Sequence, residues 1–418
     1  MKEKYLEDTK KSAVLFILAW ILYAIVYMTK NCYSAAMAEI VAKGVLTKTQ
    51  TGTITAAFYL TYAPFQILGG AAADKYSPGK LILIGTIGAA AANLTVFFTH
   101  SYTVMLTAWT LNGMIQFGIW PAIFKIVSTQ LAPEHRSKGV FYITTAGVAG
   151  LISSYICAAV IKSWENNFLF SAISLLVISA VWLPAYKVIG KSMLSRGTAS
   201  VSRRRTAAAS GEGRLSLLLR SGLIFLLFAS VIRAMLDLGI KSMIPVMLTE
   251  SYASVSPTLA SVLNIIIIIA GFFGLYAAAF IFPKKIHDEA TSLTAFFIAA
   301  IPMVFVIMLL GKINVGLIIG ALALFIMLMS GAGQFTTVYI AVRFNKMGRG
   351  AEFAGLFNCM ASIGVVLSNY GFARLADDFG WSVTVKCWVV LSAVAAALAC
   401  ADIPLWKRFL RKQEKVAD

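Results

Sequence analysis

"GKSMLSRGTASVSRRRTAAASGEGR", residues 190–214, is the longest polar stretch in a chain that is otherwise a succession of apolar runs. It is rich in Arg, Ser, Ala and Gly and has no apolar periodicity, the composition of a flexible linker. Working outward from it, six apolar runs precede it, at 12–39, 50–73, 80–99, 102–130, 139–162 and 168–189. Six more follow, at 216–248, 256–282, 290–310, 314–341, 351–373 and 382–404. Each approaches or exceeds the roughly 20 residues a helix needs to cross hydrocarbon. With 59% hydrophobic and 13% charged residues and a mean hydropathy of +0.81, the chain is more apolar than a soluble core of this length requires. The expected fold is all-α: a polytopic membrane protein of about 12 transmembrane helices in two pseudo-symmetric six-helix bundles, residues 1–189 and 216–418, joined by a basic cytoplasmic linker, 190–215.

The net charge of +18 belongs to this topology. Sorted along alternating loops, about 26 of the 36 Lys and Arg residues fall on one side of the membrane and about six on the other. That asymmetry puts both termini in the cytoplasm of a cell-membrane protein and assigns the basic loops to anionic lipid rather than nucleic acid. The opening "MKEKYLEDTKKSAVLFILAWILYA" has the shape of a signal peptide, but its apolar run is too long for one and reads as an uncleaved first helix. The five cysteines show no paired spacing and the three histidines no metal-ligand spacing, so neither a disulfide framework nor a metal or cofactor site is expected. "GKS" at Gly190 has Ala185 where a phosphate-binding loop needs its first glycine. No nucleophile and base form a pair, and an enzyme is not expected. Trp164, Trp381 and Trp406, near run ends, read as interfacial anchors.

Against this background two cations stand out. Lys30 follows a charge-free stretch back to Ser12 and precedes eight more uncharged residues. Arg233 lies at nearly the same depth in the first run of the second half, after a charge-free stretch from Ser221. A cation near a helix centre costs roughly 2.5–3.5 kcal/mol on insertion scales. Matched cations in two related halves suggest a site for a small anion at their interface. The alternative is structural neutralisation: Asp237 and Lys241 follow Arg233 at one-turn intervals on the same face. Lys30 has no acid within a turn of its own helix.

Other residues carry a resemblance. "GGAAADKYSPGK", Gly69 to Lys80, resembles the signature loop between the second and third helices of the major facilitator superfamily. The resemblance implies gate-side roles for Gly70, Asp74 and Lys75. "YMTKNCYSAAM" is similar to the first-helix pattern of the organophosphate:phosphate antiporters, the family of glycerol-3-phosphate and hexose-6-phosphate transporters, with Tyr27 and Lys30 at its tyrosine and arginine places. "IRAMLD" resembles that family's helix 7 arginine and aspartate, here Arg233 and Asp237, and "IWPAIFK" its helix 4 Trp-Pro and cation, here Trp120, Pro121 and Lys125. "AEFAGLFNCMASIGVVLSNYGFARLADDFGW" resembles its helix 11 and the loop that follows.

The departures bear on substrate. Lysine replaces a bidentate arginine with a point charge at Lys30. Gln66 takes the place of the family's helix 2 lysine, Gly147 falls near its helix 5 histidine, and the second-half signature loop has decayed to "FPKKIHDEA". The anion:cation symporters of sugar acids share a pattern that Tyr27, Lys30 and Ser34 satisfy with lysine for arginine, but Thr29 stands where they carry a proton-coupling aspartate. The resemblance thus implies a transporter of a phosphorylated metabolite, exchanged for inorganic phosphate by alternating access and working as a monomer. Lys30, Arg233, Tyr27, Lys125, Gln66, Gln116 and Asp237 are its expected substrate residues. Proton-coupled uptake of carboxylates and ligand sensing without transport stay open as alternatives. Tyr23 and Tyr142 are further candidates for hydrogen bonds to a substrate, and Asn112, Asn264, Gln334, Asn358 and Asn369 for lining the path or joining helices.

Overall fold

The computed structural model describes residues 4–195, 214–281, 288–310, 314–345 and 349–417. Most of the linker, 196–213, and the loop residues 282–287, which hold most of "FPKKIHDEA", lie outside the described residues. The chain forms two compact units, residues 1–201 with 255–262 and residues 202–254 with 263–418.

The first unit contains α1 (Thr9–Ala42), α2 (Lys48–Lys75), α3 (Pro78–Phe97), α4, α5 (Pro133–Ile161) and α6 (Trp164–Lys191). α4 is composite: Tyr102–Ile115, a 3₁₀ turn Gln116–Gly118, Ile119–Lys125, and a π turn Ile126–Gln130. Pro121 explains the interruption, because it has no N–H to return to the carbonyl of Phe117. Helix starts are set by ordinary capping chemistry. Asp8 accepts from the backbone N–H of Lys10 at 2.9 Å, Thr47 and Gln50 form a reciprocal capping box, and Pro78 and Pro133 open α3 and α5. α5 begins six residues before the expected 139 because its first turn is polar and carries no hydrophobic signal.

The second unit has α7, α8 (Pro257–Ile281) from residue 263 onward, α9 (Glu289–Leu310), α10, α11 and α12. The expected helix 216–248 is two helices: a short Arg214–Ser221, then α7, built from Leu223–Ala234, a π turn Met235–Gly239 and Ile240–Ser251. Gly222 divides them with φ +79°, a conformation that favours glycine. α10 likewise runs Val315–Gln334, through a π turn Phe335–Tyr339, to Ile340–Asn345. The stretch Gly350–Ala417 is helical except at Gly380, φ +77°, which separates α11 (350–379) from α12 (381–417). α12 thus runs well past the expected end at 404.

A two-residue antiparallel pairing, Lys4–Tyr5 with Leu194–Ser195, is the one extended element among the described residues. It ties down the start of the linker, which the sequence reads as uniformly flexible. Two of the expected interfacial anchors are internal instead. Trp164 is 1% and Trp406 0% exposed, both packed by neighbouring aromatic residues. Trp381 is half-buried and donates to Glu250 Oε2 at 2.6 Å.

The two units repeat one neighbour scheme. α1 meets α5 as α7 meets α11, and in each pair a glycine lets backbones touch: a Cβ on Gly150 would collide with Ala24 O, and one on Gly364 with Val231 O. α3 meets α6 through Thr86 and Ser179, 2.7 Å apart, as α9 meets α12 through Glu289 and Trp406, 3.0 Å apart. Lipid offers no hydrophobic drive for helices to associate, so such close contacts and interhelical hydrogen bonds carry the association. Gly150→Val and Gly364→Val are each expected to cost more than the roughly 1–3 kcal/mol of ordinary overpacking, because the obstacle is backbone. Gly355→Val, on α11 with nothing within 4 Å of its Cβ position, should be tolerated. Thermal unfolding of the three variants in detergent tests this, and equal melting temperatures would refute it.

Candidate functional site

In the first unit α1 delivers Lys30 to a cage of aromatic rings. Its Nζ lies 3.9 Å from the ring centre of Tyr62, 5.1 Å from Tyr27, 5.3 Å from Tyr59 and 5.5 Å from Phe58. Phe58, Tyr59 and Tyr62 stand at i, i+1 and i+4 on α2, and Phe58 stacks on Tyr62 at 5.5 Å. One turn further along α2, Gln66 donates to the Tyr62 hydroxyl at 2.6 Å and fixes that ring. Lys30 is 8% exposed, and among the described residues it has neither an acidic partner nor a hydrogen-bond acceptor. Cation–π contacts of roughly 0.5–2 kcal/mol each offset its desolvation, but its three N–H donors remain for an incoming acceptor. Tyr23 continues the aromatic wall, edge-on to Tyr27 at 5.2 Å and stacked on Trp120 at 4.9 Å.

The second unit treats its cation differently. On α7, Arg233 Nη1 donates to Asp237 Oδ2 at 3.1 Å, and Lys241 Nζ approaches Asp237 Oδ1 to 2.6 Å. From α10, Ser330 Oγ lies 2.9 Å from both Asp237 Oδ1 and Lys241 Nζ. A Cβ on Gly333 would lie 3.0 Å from Arg233 Nη1, so the missing side chain makes room for the guanidinium. Asp237 is at the centre of the π turn Met235–Gly239, a distortion that recurs at functional positions. Two cations against one carboxylate leave the trio one positive charge in excess, and Arg233 Nε is buried with no partner among the described residues. The backbone is served with equal economy. Pro245 cannot bond to the carbonyl of Lys241, and Asn264 Nδ2 donates to that oxygen at 3.1 Å instead.

The expected residues thus separate into groups. Lys30, Tyr27 and Gln66 belong to the cage, Arg233 and Asp237 to the trio. Lys125 donates to Ala73 O at 2.5 Å, in the last turn of α2, which puts it beside the gate motif rather than in the cage. Gln116 is 2% exposed and donates to Asn112 Oδ1 at 2.8 Å, four residues back on its own helix. Lys75 is exposed, 5.6 Å from the Tyr76 ring, while the side chains of Gly70 and Asp74 lie outside those described. Gly69 makes the close approach in that motif: a Cβ there would meet Phe117 O, the carbonyl that Pro121 cannot serve. Tyr142 is 52% exposed. Asn369 accepts from Ser242 at 2.8 Å and so joins α11 to α7. The sequence reading missed Phe58, Tyr59, Tyr62 and Ser330, although the aromatic spacing in "FYLTYAPFQ" marks one helical face.

The family model described as Major Facilitator Superfamily matches residues 19–369. The membrane sensor protein UhpC of Salmonella typhimurium is 26% identical over 147 residues, 35% of this chain and 33% of that protein. The hexuronate transporter of Bacillus subtilis is 27% identical over 182 residues, 43% and 42% of the two chains. A probable hexose phosphate transport protein of Chlamydia pneumoniae is 27% identical over 124 residues, 29% and 27%. These matches span less than half the length of each relative. Among solved structures, a bacterial homologue of the human lysosomal transporter Spinster aligns with TM-score 0.76 at 13% identity, covering 96% of this chain and 98% of that one. The nucleoside transporter NupG aligns with TM-score 0.71 at 14% identity, covering 94% and 100%. At these identities the structures speak for the fold alone.

The trio makes a definite prediction. Asp237→Asn strips one partner from a buried network and is expected to cost about 3–5 kcal/mol, seen as a lowered melting temperature in detergent. Asp237→Asn with Lys241→Gln should recover part of it. A single variant as stable as the parent would show that the trio is not assembled.

Proposed function

The chain belongs to the major facilitator superfamily, and we propose that it is a secondary transporter of a small organic anion. The observation that carries this reading is Lys30: a buried cation ringed by aromatic side chains, with no ion pair or hydrogen bond of its own among the described residues. A charge so placed gains from a bound anion. Arg233 is the counterpart in the second unit, where an incoming anion competes with Asp237 for the guanidinium.

The finer reading is exchange of a phosphorylated metabolite for inorganic phosphate. Hexose phosphate transport proteins among the relatives support it, as does a first-unit cage without a carboxylate to carry a proton among the described residues. Binding of an anion at Lys30 or at Arg233 neutralises that cation, and the occupied carrier changes access more readily than the empty one. Tyr27, Tyr59 and Tyr62 offer hydroxyls to phosphoryl or sugar oxygens. Asp74, Lys75, Gly70 and Lys125 act at the gate. The protein resides in the cell membrane with both termini cytoplasmic and acts as a monomer.

A second reading, proton-coupled uptake of a sugar acid, draws on the hexuronate transporter match and on lysine's suitability for a single carboxylate as a point charge. Asp237 would then be the residue to carry the proton.

Uptake of labelled phosphate into proteoliposomes, preloaded with phosphate or empty, with and without a pH gradient, separates the readings. Exchange that needs internal phosphate and ignores the gradient is expected. Lys30→Gln and Arg233→Gln should each reduce exchange at least about 100-fold with normal reconstitution, since each removes a charge that binding and translocation both use. Undiminished flux in either variant would remove that residue from the site. Tight ligand binding with no flux in the parent protein would mark a sensor.

A further inference from the structure

Beyond its apolar run, α12 carries Lys407, Arg408, Arg411 and Lys412, all exposed. Spacings of one, three and four residues put them on one side of the helix. The opposite side is pinned. Trp406 is fully buried, donates to Glu289 Oε2 at 3.0 Å and stacks on Phe409 at 5.6 Å, and Phe409 stacks on Phe344 at 5.8 Å. The helix therefore cannot roll its basic side inward. With Pro404, the four cations line an open cavity of about 380 Å³. Lys407 reaches Asp288 at 3.8 Å, while Arg408, Arg411 and Lys412 have no acidic partner among the described residues. Leading to this cavity, Val390, Val394, Ala397 and Ala401 form an exposed apolar stripe at helical spacing on the same arm.

We propose that this surface binds an anionic phospholipid, its phosphodiester headgroup held by Arg408, Arg411 and Lys412 and its acyl chain laid along the stripe. The guanidinium forks match phosphate oxygens in geometry as well as charge. A basic cluster directly beyond a transmembrane run is at headgroup depth and attracts anionic lipid. The apolar stripe distinguishes a lipid from free phosphate, which has nothing to lay along it. The proposal is independent of what the protein transports.

The test is native mass spectrometry of the full-length protein released from micelles containing phosphatidylglycerol, phosphatidylcholine, or phosphatidylglycerol with added inorganic phosphate. The parent protein should retain one phosphatidylglycerol in preference to phosphatidylcholine. Arg408→Gln/Arg411→Gln/Lys412→Gln should reduce that retention about ten-fold or more, as loss of three headgroup-level cations implies. Arg408→Lys/Arg411→Lys should keep most of it, and the control Lys10→Gln/Lys80→Gln/Lys187→Gln, equal in charge removed, should keep all of it. Monodisperse elution of each variant reports that it has folded. Equal retention by the first triple variant, equal loss in the control, or full displacement of the lipid by inorganic phosphate would overturn the assignment.

Discussion

Hydrocarbon neither donates nor accepts a hydrogen bond and solvates no charge, so each polar group carried into a bilayer must be satisfied from within the protein. Several buried polar groups of this protein meet the requirement in specific ways, although others, Arg233 Nε and the Asp402 carboxylate among them, have no hydrogen-bond partner among the described residues. Asn264 bonds to the carbonyl that Pro245 cannot serve, and Ser242 bonds to Asn369 across two helices. Glu289, 2% exposed, receives both Arg343 and Trp406. Arg233 and Lys241 share Asp237, which Ser330 also serves. Lys30 departs from the pattern: aromatic faces attract its charge, yet none accepts its protons in an N–H···O bond.

That difference turns a repeated architecture into an asymmetric one. Equivalent helices carry cations at similar depth, but one unit neutralises its cation with a carboxylate and the other leaves its cation to rings. On the proposed function, an anion entering the first unit would displace no carboxylate seen among the described residues, whereas in the second it would compete with Asp237 or be received by the whole trio.

Much of the fold could be read from sequence because lipid imposes length and composition on each crossing. The twelve apolar runs correspond to twelve helical paths among the described residues. Boundaries failed where structure is set by groups outside the apolar signal: the polar first turn at Pro133, the left-handed Gly222, and the polar extension of α12. The site was legible where charge made it so. Lys30 and Arg233 are conspicuous because a cation in an apolar run is costly, and the trio follows from one-turn spacing. The cage was not foreseen, because Phe58, Tyr59 and Tyr62 look like ordinary apolar helix residues until α2 is packed against α1. Gln116 and Lys125 show the limit of reading charge and polarity alone, because sequence does not reveal that Gln116 bonds to Asn112 or that Lys125 bonds to the end of α2.

The central claim is that Lys30 is a buried charge awaiting an anion. Its most direct test is the thermal stability of the purified protein in low-salt detergent buffer, comparing the parent with Lys30→Leu, each alone and with phosphate, a hexose phosphate or a hexuronate. If the claim holds, Lys30→Leu without ligand melts no lower than the parent, because it removes a desolvated charge, and at least one anion stabilises the parent but not the variant. A variant that melts lower without ligand and is stabilised by the same anion as strongly as the parent would contradict it.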